Sequence, residues 1–192
     1  PYLNAWHAKY RDHGLVIIGI HSPEFNFEKD LERVKKAVAD HRIRYPVGLD
    51  SDKKTWNAFR NRFWPHKYLI DAGGNLRFEQ IGEGNYDETE EKIRELLVEA
   101  GYDIDVPMTQ VKTEAVDFKQ IKTPEIYFGQ YQGQFLGNPL GLMTGRDSFY
   151  HAPPRIEENL YYLSGYWDVG EEHARYKGKE EEVLSTLLRL SS

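Results

Sequence analysis

Six residues, Leu15-Val-Ile-Ile-Gly-Ile20, constrain the fold of this 192-residue chain more than any other stretch. The run is apolar at nearly every position, rich in β-branched side chains and too short for a helix. It reads as a central parallel strand with both faces covered. A parallel strand needs crossover helices, and apolar stripes flank it on both sides. Leu3, Trp6 and Tyr10 recur at helical spacing before Gly14, a C-cap residue. Phe27, Leu31, Val34 and Val38 form a second amphipathic stripe after the run.

The pattern continues in the same style. Tyr45-Pro-Val-Gly-Leu49 reads as a short strand, and Asp50-Ser-Asp52 can cap a helix over residues 53–60. Tyr68-Leu-Ile70 and residues 76–81 form a predicted hairpin across the turn Asp71-Ala-Gly-Gly-Asn75. Asp87-x-x-Glu90 is spelled like a capping box, and Ile93, Leu96, Leu97 and Ala100 give a last helix ending near Gly101. Residues 1–102 therefore read as one α/β domain and 103–122 as a linker. From 123 to 192 the segments are short, aromatic and broken by Gly and Pro, as in Ile126-Tyr-Phe-Gly129, Tyr161-Tyr-Leu163 and Tyr166-Trp167. This texture predicts a β-rich domain, a partial β-sandwich of jelly-roll-like type, although 70 residues is thin for a closed one. Residues 180–190 read equally well as strand or helix.

The composition excludes several classes of function. The net charge of −6 offers no footprint for a nucleic acid. No apolar run reaches the length of a membrane span, and no signal peptide is visible. The seven histidines show no metal-ligand spacing, and Glu171-Glu-His173 is too weak to count. Gly82-Glu-Gly84 lacks the frame of a phosphate loop, and neither Ser148 nor Ser164 lies in a hydrolase motif, so no metal and no cofactor is expected. Cysteine is absent from the sequence, so this chain cannot itself carry out disulfide exchange, whose nucleophile is a thiolate.

The element order, with Trp64-Pro65 just ahead of the strand at Tyr68, resembles the thioredoxin-like TlpA/redoxin family. Pro1-Tyr-Leu-Asn-Ala-Trp-His-Ala-Lys-Tyr10, His21-Ser-Pro-Glu-Phe25, Phe63-Trp-Pro65 and Ile81-Gly-Glu-Gly84 are similar to the extracytoplasmic thioredoxin-like region of the DipZ proteins, in which a CcdA-type membrane electron carrier is fused to a redoxin domain. The resemblance implies an N-terminally truncated thioredoxin-like fold with its Cys-x-x-Cys upstream of Pro1, leaving no catalytic residue within this sequence. A helix N-terminus at that point lowers a cysteine pKa, as an attacking thiolate requires. It also implies a cis bond before Pro65, with Trp64 and Pro65 binding an extended substrate. Implied partners are protein disulfide substrates and a CcdA-type membrane donor, and the implied location is extracytoplasmic. Thr123-Pro-Glu-Ile-Tyr-Phe-Gly129 and Leu163-Ser-Gly-Tyr-Trp-Asp168 look similar to the opening strands of a carbohydrate-binding-module-like domain.

Each candidate has a plainer reading. Glu24, at the end of the central strand, can assist proton transfer near the expected thiols, or it is a loop acid capping the helix near Phe27. The aromatic residues between Tyr127 and Trp167 can stack on a glycan or fill a β core. Trp6 and Trp56 read as packing residues. The expected function is that of the thioredoxin-like region of an extracytoplasmic thiol-disulfide oxidoreductase, without its cysteines. The alternative is a non-catalytic recognition module whose β-domain binds a glycan or a protein. A thiol peroxidase also needs the missing cysteine and has less motif support.

Overall fold

The computed structural model of the chain describes residues 1–111, 124–131, 133–143, 145–178 and 186–188. The chain divides into two units, Pro1–Glu114 and Ala115–Ser192. In the first, helix α1 (Tyr2–Tyr10) runs into a 3-10 turn that stops at Gly14. Gly14 takes φ 90°, a backbone conformation that favours glycine, and an added Cβ would lie 2.5 Å from the Tyr102 ring and displace it. There follow β1 (Gly19–His21), α2 (Leu31–Asp40), β2 (Val47–Leu49), α3 (Lys54–Ala58), β3 (His66–Ile70), β4 (Leu76–Ile81) and α4 (Tyr86–Glu99). This is the order expected from the sequence.

Strands β1 and β2 are parallel, with Gly19 opposite Val47 and His21 opposite Leu49. Strands β3 and β4 are an antiparallel pair with an irregularity between Leu69 and Ile70. Among the described residues no ladder joins the two pairs. The core lies on one side, where Trp6, Tyr10, Ile93 and Leu97 are buried and Leu15, Ile17 and Leu69 pack against them. The alternate residues Val16 and Ile18 are 76 % and 62 % exposed. This corrects the expectation of a strand covered on both faces. The strand read over residues 15–20 is also shorter than expected: the ladder with β2 begins at Gly19, so residues 15–18 precede β1, and with α2 burying none of its residues Val16 and Ile18 have too little to pack against.

The predicted capping box at Asp87-x-x-Glu90 is also different in the structure. Asn85 occupies the N-cap at φ 48°, and Glu90 turns inward to become fully buried. Its carboxylate accepts hydrogen bonds from Trp6 Nε1 (2.9 Å), Tyr10 Oη (2.5 Å), the Thr109 amide (2.9 Å) and Thr109 Oγ1 (2.8 Å). Lys9 Nζ lies 3.5 Å away and donates to the Pro107 carbonyl. Arg94 donates to Tyr10 Oη and to the carbonyls of Val106 and Ile104. Residues 104–109, at the start of the segment read as a linker, are thereby held against α1 and α4. Burial alone raises the Glu90 carboxyl pKa, but the hydrogen bonds from Tyr10, Thr109 and Trp6 outweigh it and hold it low. The Tyr10 hydroxyl is pushed up to about 12, by burial first and then by its bond to Glu90.

The second unit contains β5 (Gly145–Tyr150), β6 (Tyr161–Leu163), β7 (Gly165–Val169), β8 (Ala174–Tyr176) and β9 (Thr186–Leu188). Strands β5, β7 and β8 form one antiparallel sheet, and β6 pairs with β9. Tyr150, Tyr161, Leu163, Trp167 and Val169 make the core. Buried Asn138 organises its edge, donating to the carbonyls of His151 (3.0 Å) and Leu163 (2.9 Å) and accepting the Leu163 amide (2.8 Å). The strand expected at Ile126-Tyr-Phe-Gly129 is irregular chain. Of the ambiguous stretch 180–190, residues 186–188 are strand and the rest lies outside the described residues. Tyr161, Tyr162 and Trp167 fill space, whereas Phe128, Tyr131 and Tyr166 are exposed.

Candidate functional site

The site is assembled where β1, β2 and the entry to β3 end. Beyond His21 the chain turns at Ser22 and Pro23, both buried. Beyond Leu49 comes Asp50, also buried, whose carboxylate accepts the amides of Thr55 (2.9 Å) and Trp56 (2.8 Å) and the Ser22 hydroxyl (3.0 Å). The helix-capping role expected of the Asp50-Ser-Asp52 stretch thus falls to Asp50, which also ties α3 to the β1 loop. Burial tends to raise its pKa, but the bonds from Trp56, Thr55 and Ser22 outweigh this and keep the carboxylate ionised.

Trp64 rests on that framework. Its indole Nε1 donates to the Ser22 carbonyl at 2.9 Å, and its ring lies 4.1 Å from that of Trp56, centroid to centroid. Lys53 Nζ stands 5.3 Å from the Trp56 ring and 5.0 Å from the Trp64 ring, within cation–π range of both. Even so, Trp64 remains 46 % exposed. The side chain is fixed in orientation and open to solvent. The Trp64–Pro65 peptide is cis.

The Pro65 carbonyl accepts the Gly82 amide at 2.8 Å, and Lys67 Nζ donates to the Gly82 carbonyl at 3.0 Å. Lys67 also lies over the Tyr86 ring, which stacks on Tyr2 with centroids 4.0 Å apart. This run of contacts links the first turn of α1 to the Pro65 loop through Tyr86, Lys67 and Gly82. Partial burial lowers the Lys67 pKa, opposed by Glu83. The Tyr86 hydroxyl is pushed up to about 12 by burial and then by its bond to Glu83.

Glu24 lies in the loop that supplies the Trp64 anchor, two residues after Ser22. Its amide and that of Phe25 donate to Glu28, and the N-cap of α2 is Asp30. The capping suggested for Glu24 is therefore done by Glu28 and Asp30. The sequence reading missed the roles of Trp56 and Lys53 as the shelf beside Trp64, and of Ser22 as its anchor. Among the described residues no group of three or more His, Cys, Asp or Glu is placed to hold a metal, and no helix is long and apolar enough to cross a membrane.

Comparison with known proteins supplies the context for this geometry. Residues 123–186 match the family model described as "Thioredoxin like C-terminal domain". DipZ of Mycobacterium bovis is 35 % identical over 184 residues, 95 % of this chain. The chain belongs to the thioredoxin-like family. Thiol-disulfide oxidoreductase YkuV of Bacillus subtilis is 31 % identical over 99 residues, 53 % of this chain and 66 % of YkuV. A solution structure of a thioredoxin-like protein in the oxidised form is 31 % identical, covering 50 % of this chain and 65 % of that one with a TM-score of 0.46. The chain spans 26 % of the length of DipZ. In this thioredoxin-like chain the Trp64 shelf adjoins the Pro65 loop, and a relay of contacts through Gly82, Lys67 and Tyr86 links that loop to Tyr2 at the start of α1.

Proposed function

We propose that the chain is the substrate-docking part of an extracytoplasmic thiol-disulfide oxidoreductase whose cysteines lie outside this sequence. One observation carries the reading: Trp64 is fixed through Ser22 and Trp56 but exposed, beside a loop that contacts run from to the first turn of α1. A thiolate at a helix N-terminus is stabilised by the helix dipole and free amides. It attacks one sulfur of a substrate disulfide, forming a mixed disulfide and releasing the other sulfur as a thiol. A second thiolate then attacks the mixed bond, leaving the substrate reduced and the oxidoreductase oxidised. Trp64 and Pro65 hold the substrate chain during both steps, and Glu24, in the loop that carries the Ser22 anchor, is assigned the auxiliary role in proton transfer. A CcdA-type membrane donor would return the electrons. The second unit, with two antiparallel sheets around the Tyr161 cluster, we read as a partial β-sandwich of carbohydrate-binding-module type.

The test is insulin reduction by the protein translated from the gene extended upstream of Pro1, run beside the 192-residue chain. Turnover that thiol alkylation abolishes is expected from the longer protein, and none from the shorter. Turnover by the shorter chain without added thiol, or a longer protein without thiol-dependent turnover, overturns the reading.

A further inference from the structure

From Lys53 to Ile70 the chain carries five Lys or Arg residues and no Asp or Glu, within a protein of net charge −6. The loop between α3 and β3 winds around Asn61, whose Oδ1 accepts the amides of Arg62 (2.9 Å) and Phe63 (3.3 Å) and lies 2.7 Å from His66 Nδ1. That winding leaves Phe59, Phe63 and Trp64 each nearly half exposed. Arg60 and Arg62 are exposed as well, and among the described residues neither they nor Lys53 has a carboxylate partner. Lys54, by contrast, lies 3.7 Å from Asp52, and Lys67 is turned toward Gly82. Asp50 is buried, with its oxygens taken up by Thr55, Trp56 and Ser22. Three cations without counter-charges thus belong to the same short stretch as three open aromatic rings.

Apolar area of this kind marks an interaction surface, and its rim charge selects the partner of opposite sign. We propose that this surface selects extended peptide segments in which an aromatic or branched apolar side chain stands next to Asp or Glu. The inference rests on the docking role given to Trp64 and Pro65 and names the substrate class that role serves. The apolar side chain lies on the Trp64–Trp56 shelf, and the carboxylates face Lys53, Arg60 and Arg62.

The test is calorimetric titration of the 192-residue chain at low salt with three peptides of equal length, each with a central Phe flanked by Glu, Ser or Lys. The Glu peptide should bind about fivefold tighter than the Ser peptide, the scale of two or three exposed ion pairs, and the Lys peptide weaker than both. The double substitution Arg60→Glu and Arg62→Glu should reverse the order, and Trp64→Ala should weaken all three. Equal binding of the three peptides, or a preference unchanged by the arginine substitutions, overturns the charge selection but leaves the docking role standing if Trp64→Ala still weakens them. Binding insensitive to Trp64→Ala, or no binding at all, overturns both. Loss of binding to phosphatidylglycerol vesicles in the arginine variant, with no peptide preference, would assign the surface to a membrane and overturn the proposal.

Discussion

Replacing Glu90 with Ala tests the account of the first unit at its most sensitive point. The substitution leaves the Trp6 indole N–H, the Tyr10 hydroxyl and the Thr109 amide without their acceptor. Each buried donor left unpaired costs about 1–3 kcal/mol, so roughly 4 kcal/mol in total is expected after partial relaxation. That is a large share of the ~5–15 kcal/mol that holds a typical domain together. For a unit of this size a urea slope of about 1.5 kcal/mol per molar turns the loss into a midpoint shift of 2 M or more. The readout is hydrogen exchange on the intact chain in rising urea, followed on peptides from α1 and α4. The Thr109 amide should lose its protection even without denaturant. A loss below about 1 kcal/mol, or an unchanged Thr109 amide, would refute the reasoning. The pH dependence gives a second check. Because Glu90 is held below its ordinary pKa, the unfolded chain binds its proton first as pH falls. Its contribution is therefore complete above about pH 4.3 and disappears as pH drops through the folded-state value. Glu90→Gln should flatten that acid limb and leave the slope near neutral pH unchanged.

Three further outcomes follow from other contacts. Asn138→Ala leaves the Leu163 amide and carbonyl without their side-chain partner and should destabilise the second unit by about 2 kcal/mol, read as faster exchange in β6 with α1 and α4 unchanged. Gly129 takes φ 118°, and a Cβ there would lie 2.7 Å from the Glu171 carbonyl and the His173 amide. Gly129→Ala should therefore lower the melting temperature of the second unit, and an unchanged melt would contradict the placement. Val16→Lys with Ile18→Lys touches side chains 76 % and 62 % exposed, so stability should change by no more than about 0.5 kcal/mol per site in urea denaturation, and a loss of several kcal/mol would contradict their exposure.

The order of elements in the first unit was legible because most left a local signature: β-branched residues leading into β1, though the strand itself is confined to Gly19–His21, an apolar stripe in α4, and a Gly-rich turn between β3 and β4. Burial was less legible. The run Leu15-Val-Ile-Ile-Gly-Ile20 says what its side chains require, but whether both faces are covered depends on strands and helices elsewhere. Here one face packs through Leu15 and Ile17 and the other stays open. Glu90 was misread for a related reason. An acid three residues after Asp87 is spelled the same way whether it caps the helix or turns inward. The choice was made by Trp6, Tyr10 and Thr109, which lie 84, 80 and 19 residues away in sequence.

The candidate site shows the same division between what is local and what is tertiary. Trp64-Pro65 stands out in sequence because an X-Pro pair ahead of an apolar strand is a local pattern. Trp56 does not stand out, because on a short helix it looks like any packing residue. Its part in the site depends on Asp50, which closes the first turn of α3 and binds Ser22, while the Ser22 carbonyl holds the Trp64 indole. A single carboxylate therefore sets both halves of the shelf. If that linkage holds, Asp50→Ala should disturb Trp64 without touching it: with Trp6 and Trp167 replaced by Phe, the emission of the remaining Trp56–Trp64 pair should move toward that of freely solvated indole. An emission spectrum unchanged by Asp50→Ala would mean that Trp64 is positioned by its own loop alone, and the shelf would then be two independent contacts with no shared support.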